Sequence, residues 1–265
     1  MSRIVSYEML ELENGMHSKM YSAIYGFYNR FACVALNGKW GFINEEGEEV
    51  IPPIYDEVMN FNQNHARVKV GGKWGIINEK GEVAIPFMYE EIGTYQENLI
   101  RVKVSDKWGL INDREEVIIS PKYHSIHEFI EGYARVELEG KWGFVNEHGE
   151  EVVPLKYNGA THFHNGFAQV KLKRKWGSIN KHGEVVVPIR YDEEEMFEEG
   201  LSRVKRGSKY GFVDITGREV IPIKYKFANY RFENGRCHVV VENLLERVEY
   251  TIDKDGNILE QIIYY

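Results

Sequence analysis

Between Ala66 and Val70 apolar and charged side chains alternate, the period of two expected of a strand with one buried face. Gly71-Gly72 then supplies a tight turn, and Trp74 to Asn78 returns as the second strand of a hairpin. Gly81, in Glu-Lys-Gly, makes a further turn into a third strand, Glu82 to Ile85. Pro86 is expected to end that strand, because proline has no N–H to give the ladder. The segment that follows from Tyr89 carries Ile92 and Tyr95 and is either a fourth short strand or a helical turn. Its spacing of three favours the turn. The predicted unit is therefore a three- or four-stranded antiparallel motif, and no long helix is expected anywhere.

This unit recurs. Trp-Gly stands at 40–41, 74–75, 108–109, 142–143 and 176–177, with Tyr210-Gly211 as a sixth copy, always 34 residues apart. Other columns keep step. The prolines fall at Pro52, Pro53, Pro86, Pro121, Pro154, Pro188 and Pro222, and tyrosines follow at 55, 89, 123, 157, 191 and 225. Phe61, Tyr95, Phe129, Phe163 and Phe197 form a further aromatic column. Lysines at 39, 73, 107, 141, 175 and 209 precede the Trp or Tyr, and Arg67, Arg101, Arg135 and Arg203 also repeat. The turn glycine at 47, 81, 149, 183 and 217 is replaced by Glu115 in the third copy. One such unit has too little apolar surface to bury alone, so units must stack. Glycine after Trp leaves space for a backbone or ring to come close. The indole and phenol rings are expected to supply the interlocking area.

The pattern K-W-G-[FIL]-[IV]-N … G-E-x-[VI]-[VI]-P … Y-[DE] closely resembles the WG-repeat family of bacterial proteins. The resemblance runs from about Tyr21 to Tyr225; Ser178 after Trp-Gly, Ser120 in the proline column and Tyr210 for Trp depart from it. It implies an all-β repeat scaffold, usually without an assigned molecular function. The periodic phase reaches back before the first Trp, and Tyr7 to Gly15 reads as a degenerate strand and turn. Cys237 to Val241 and Val248 to Asp253 read as a seventh hairpin, followed by a last strand from Asn257 to Tyr265. We expect residues 1–265 to form a single array, with 1–20 and 226–265 as degenerate caps. Both ends carry the same pieces, and 34 residues is short for a propeller blade, so an open superhelical β-solenoid of tandem hairpins is favoured. A seven-bladed propeller-like ring is the alternative.

Composition narrows the functional classes. A net charge of −8 argues against nucleic-acid or anionic-membrane binding, both of which reward a basic face. No run approaches a membrane span or a signal peptide, and Cys33 and Cys237 alone make no disulfide framework. A cytoplasmic location is the expectation.

Candidate chemistry is sparse. His124, His127, His162 and His164 fall in connections of successive units and invite a zinc reading; their positions elsewhere hold solvated residues such as Asp56, Glu90 and Asp192, so no metal site is expected. The lysine column suggests an anion ladder, or, more simply, stems lying over Trp faces. The arginines receive the same reading. Lys171 to Lys175 is locally basic and Asp192 to Glu199 locally acidic, as solvated faces often are. The Trp row invites sugar stacking, but a ring repeated in every unit is first a packing element. The cysteines read as buried thiols that approach one another only if the array closes. Nothing resembles a catalytic constellation, and no cofactor is expected. The expected role is a non-enzymatic scaffold for another protein, with a glycan or cell-envelope module as the alternative.

Overall fold

A computed structural model describes residues 21–62, 64–96, 98–242 and 246–264. These residues hold seven four-stranded antiparallel sheets, each a meander that pairs only within itself, and no helix. The predicted all-β array of tandem 34-residue hairpin repeats is what forms, solenoid-like in being one open sheet per repeat. Residues cluster into two compact units, 1–123 and 124–265. The strand and turn expected over Tyr7 to Gly15 lie outside the described residues.

The second sheet shows the design. Its strands are Glu57–Val58, His65–Val70, Lys73–Asn78 and Val83–Tyr89, in that order across the sheet. The central hairpin turns at Gly71 and Gly72, both with positive φ (58° and 79°), as a two-residue turn matching strand twist requires. The following turn is built by Asn78. Its side-chain oxygen accepts from the Lys80 and Glu82 N–H groups, and its amide donates to the Glu82 carboxylate at 2.7 Å. Asn44, Asn112, Asn146 and Asn180 pair the same way with the glutamate four residues on. In the sixth sheet the charges are exchanged, with Asp214 facing Arg218.

Two expectations are corrected here. The proline does not end its strand, which continues to Tyr89. Trp74 pairs with Tyr89 but Ile76 with Ile85, so the strand bulges around Pro86 and Phe87. It is the last strand of its sheet, where a missing N–H is tolerated. The bulge also explains the glycine after Trp. A Cβ on Gly75 would lie 2.5 Å from the Phe87 ring and 2.7 Å from the Ile85 carbonyl oxygen. The segment carrying Ile92 and Tyr95 is a strand, Glu91–Gln96, and not a helical turn. Ile100 pairs with Tyr95 and Val102 with Ile92, so two residues oppose three. A bulge produces the spacing of three that mimics helical periodicity.

Within each unit the cores lie between successive sheets. In the first unit Phe42, Ile51 and Tyr55 of the first sheet meet Phe61, Val68 and Ile77 of the second. In the second unit Phe144, Val153 and Tyr157 of the fourth sheet meet Phe163, Val170 and Ile179 of the fifth. Residues expected to form a degenerate cap complete a seventh full sheet: Phe227–Ala228, Cys237–Glu242, Arg247–Ile252 and Ile258–Tyr264.

Candidate interaction surface

The tyrosine column is core, with Tyr123, Tyr157 and Tyr191 almost fully buried. The tryptophans are not. All five, and Tyr210, are only half-buried, so the interlocking expected of the indoles falls mainly to the tyrosines and phenylalanines. Four of the indoles instead carry a stacked or cationic side chain. Tyr25 stacks on Trp40 at 5.2 Å and 5° between planes. Lys69 sits over Trp74 and Lys171 over Trp176, each the cross-strand partner of the ring it covers. Arg135 lies 4.6 Å over Trp142, and Arg203 lies 4.8 Å over Tyr210.

Three of the lysines before the Trp have their charge drawn to an acid. Lys39, Lys73 and Lys175 reach the acid seventeen residues on, Asp56, Glu90 and Asp192, with Lys175 at 2.6 Å from its partner. The same acids cap the next hairpin turn. Asp56 accepts from the Gly71 N–H, Glu90 from Ser105 and Asp106, and Asp192 from Gly207. These contacts hold the Asp56 and Asp192 carboxyls below their ordinary range, the lysine hydrogen bond contributing most. The supposed anion ladder is thus ion-paired wherever these acids occur.

The arginine column does more than lie in solvent. Arg67 donates to the Ile92 carbonyl at 3.0 Å, Arg203 to Ala228 at 2.7 Å, and Arg135 to Ala160, each bond stapling one sheet to the next. One position, beside this arginine in the copies that carry it, changes in every copy. It is Tyr25, Met59 and Gly93 in the first unit, and His127, Thr161, Glu195 and Asn229 in the second. Glu195 ion-pairs with Arg203 at 2.9 Å. His127 lies 5.5 Å from the Trp142 ring, and Arg135 touches it at 3.4 Å. Space is kept at Gly93, where a Cβ would meet Arg101 at 3.1 Å.

The four candidate histidines divide. His127 and His162 come together, ring centroids 5.8 Å apart, while His124 caps a hairpin turn by accepting from the Glu139 N–H at 3.1 Å. His164 bridges to Phe167. Burial lowers the His162 pKa, helped by Arg135. Among the described residues no three ligand-type side chains converge as a metal site.

The sequence reading missed a buried polar cluster. Glu194 sits in an acidic run expected to be solvated, yet it is 8% exposed. Ser178, 1% exposed, hydrogen-bonds its carboxyl, and Gln169 Nε2 donates to its carbonyl in place of an arginine. Burial pushes the Glu194 carboxyl up to about 8, so it carries a proton at neutral pH. A void of about 10 Å³ lies against Gln169, Ser178, Thr161 and His164, room for about one water. The signal was present: position 194 is Ile24, Val58, Ile92, Ile126, Ala160 and Ala228 in the other copies.

Cys33 and Cys237 are separate buried thiols, Cys33 bonding Asn60 at 3.2 Å. Burial pushes them up to about 11 and about 12, which leaves them protonated and unreactive.

These features define an all-β tandem-repeat protein whose shared residues are spent on its own architecture. The WG containing repeat model matches six times in tandem, at residues 40–74, 74–108, 108–142, 142–176, 176–210 and 210–244. The chain belongs to the WG containing repeat family. No curated protein matches it in sequence. Among solved structures it is similar to a eukaryotic initiation factor at 10% identity, covering 85% of this chain and 71% of that one with a TM-score of 0.40. It is also similar to Kluyveromyces lactis Hsv2 at 10% identity, covering 89% and 94% with a TM-score of 0.36. Likenesses this distant carry no argument about function.

Proposed function

We propose that this chain is a non-enzymatic scaffold of the cytoplasm that binds another protein. The observation that supports it is the changing position beside the repeated aromatic ring, joined by an arginine in the second, third, fourth and sixth copies. Tyr25 on Trp40, His127 on Trp142 and Glu195 on Arg203 present different chemistry from equivalent backbone sites. A surface of this kind suits a macromolecule that reads several sites better than it suits a small substrate. Indole faces already covered by Tyr25, Lys69, Arg135 and Lys171 offer little to a pyranose ring, which favours a protein partner over a glycan.

Affinity capture from the native cell, run beside a glycan array, tests the reading. The expected result is a stably retained protein and no glycan signal. Saturable glycan binding, or no retained protein, overturns it.

A further inference from the structure

Arg135 and Arg203 are equivalent residues that differ in the group set beside each. Both guanidiniums lie over the ring of the repeat's aromatic column, at 4.6 and 4.8 Å. Both donate through Nη1 to a carbonyl of the next sheet, Ala160 for one and Ala228 for the other. Beside Arg203 the changing position is Glu195, whose carboxylate takes Nη2 at 2.9 Å. Beside Arg135 the same position is His127, whose two ring nitrogens both stand 3.4 Å from Nη2, the geometry of a ring face and not of an accepting lone pair.

The consequence is an unbalanced cation. Among the described residues no carboxylate lies within ion-pair range of Arg135, and its buried Nε has no hydrogen-bond partner. The neighbouring His162 Nδ1 is buried and unpartnered too. Glu128 acts on His162 from nearby. A buried donor left unpaired is destabilising, more so when it is charged, and a carboxylate on the Nε–Nη2 edge removes that cost.

We propose that Arg135, with Trp142 beneath it and His127 and His162 beside it, is a receptor for one carboxylate of an acidic side chain on the partner protein. This rests on the scaffold reading and names the chemistry of its partner. The incoming carboxylate takes the place that Glu195 occupies on Arg203, and the His127 ring swings off the guanidinium edge to admit it. The site is therefore open in the fourth repeat and filled from within in the sixth.

The test follows the Arg135 and Arg203 Nε–H signals by NMR while the full chain is titrated with N-acetylglutamate α-amide or with the neutral, isosteric N-acetylglutamine α-amide. Arg135 is expected to shift with the carboxylate, at least about tenfold more tightly than with the amide, and Arg203 to stay still. His127→Glu should abolish the Arg135 response by supplying the carboxylate internally. Glu195→His should open Arg203 and give it a response of its own. An equal response to both compounds, or a silent Arg203 in the folded Glu195→His variant, overturns the proposal. A captured partner indifferent to His127→Glu also overturns it and leaves the scaffold reading standing. An intact carboxylate response with no captured protein defeats the scaffold reading alone.

Discussion

The junction between the fourth and fifth sheets and that between the fifth and sixth occupy the same columns of the repeat, yet at one facing pair of positions the first is apolar and the second polar. The first is filled by Phe144 against Ala160, with Arg135 as staple; the second has Ser178 against Glu194, with Gln169 as staple. A large ring has become a hydroxyl and a methyl has become a carboxylic acid. The volume given up on one side is returned on the other, and the new donor meets the new acceptor. The tyrosines differ as well: the Tyr191 hydroxyl accepts from Arg190 at 3.2 Å, whereas the buried Tyr157 hydroxyl has no partner among the described residues. The pair teaches that the repeat constrains shape at a junction more tightly than it constrains chemistry.

If the exchange is compensated, separating its halves should be costly. Ser178→Phe alone forces a ring against the Glu194 carboxyl and should cost about 3 kcal/mol or more. Adding Glu194→Ala should restore most of that loss, since the double variant rebuilds the neighbouring junction. The expected coupling is about 2 kcal/mol by urea unfolding of the four cycle members. Additive effects would mean the two positions are independent.

The polar junction should also carry a titration of its own. The Glu194 carboxyl is raised from 4.5 to about 8, so the folded state holds its proton more tightly than the unfolded chain does. That advantage is complete below pH 4.5, shrinks as pH rises, and is lost by about pH 8. Relative to Glu194→Gln, the parent should lose on the order of 4 kcal/mol across this window. Parallel stability curves for parent and variant would remove the buried acid from the account.

The smallest effects separate the tyrosines. Tyr157→Phe should stabilise by about 1 kcal/mol by deleting an unpaired hydroxyl, and Tyr191→Phe should cost about 0.5–1 kcal/mol by unpairing Arg190. The same sign for both would dissolve the contrast.

Much of this fold was legible in the chain. The alternation at Ala66 to Val70, the Gly71-Gly72 turn and the fixed Trp period follow from local chemistry that each copy repeats, and they form as read. Pro86 and the Ile92–Tyr95 segment misled because bulges let a strand pass a proline and let three residues oppose two. The tryptophans misled because a repeated ring suggests core, while the cores between sheets are completed by the tyrosines and phenylalanines. The buried acid was hidden by its neighbours. Glu193 and Glu195 are paired with Lys205 and Arg203, and only strand alternation turns Glu194 the other way. Partner-facing positions have no signature of their own; they emerge only where shared columns are set aside.

The central claim is that shared columns hold the scaffold and the changing position chooses the partner. It is tested most directly by measuring the captured partner's affinity for two variants of matched melting temperature. One is His127→Ala with Glu195→Ala, and the other is Lys175→Ala, which breaks only the shared ion pair with Asp192. The account predicts a loss of about tenfold or more for the first and none for the second. Unchanged affinity for the first, or a loss confined to the second, would contradict it.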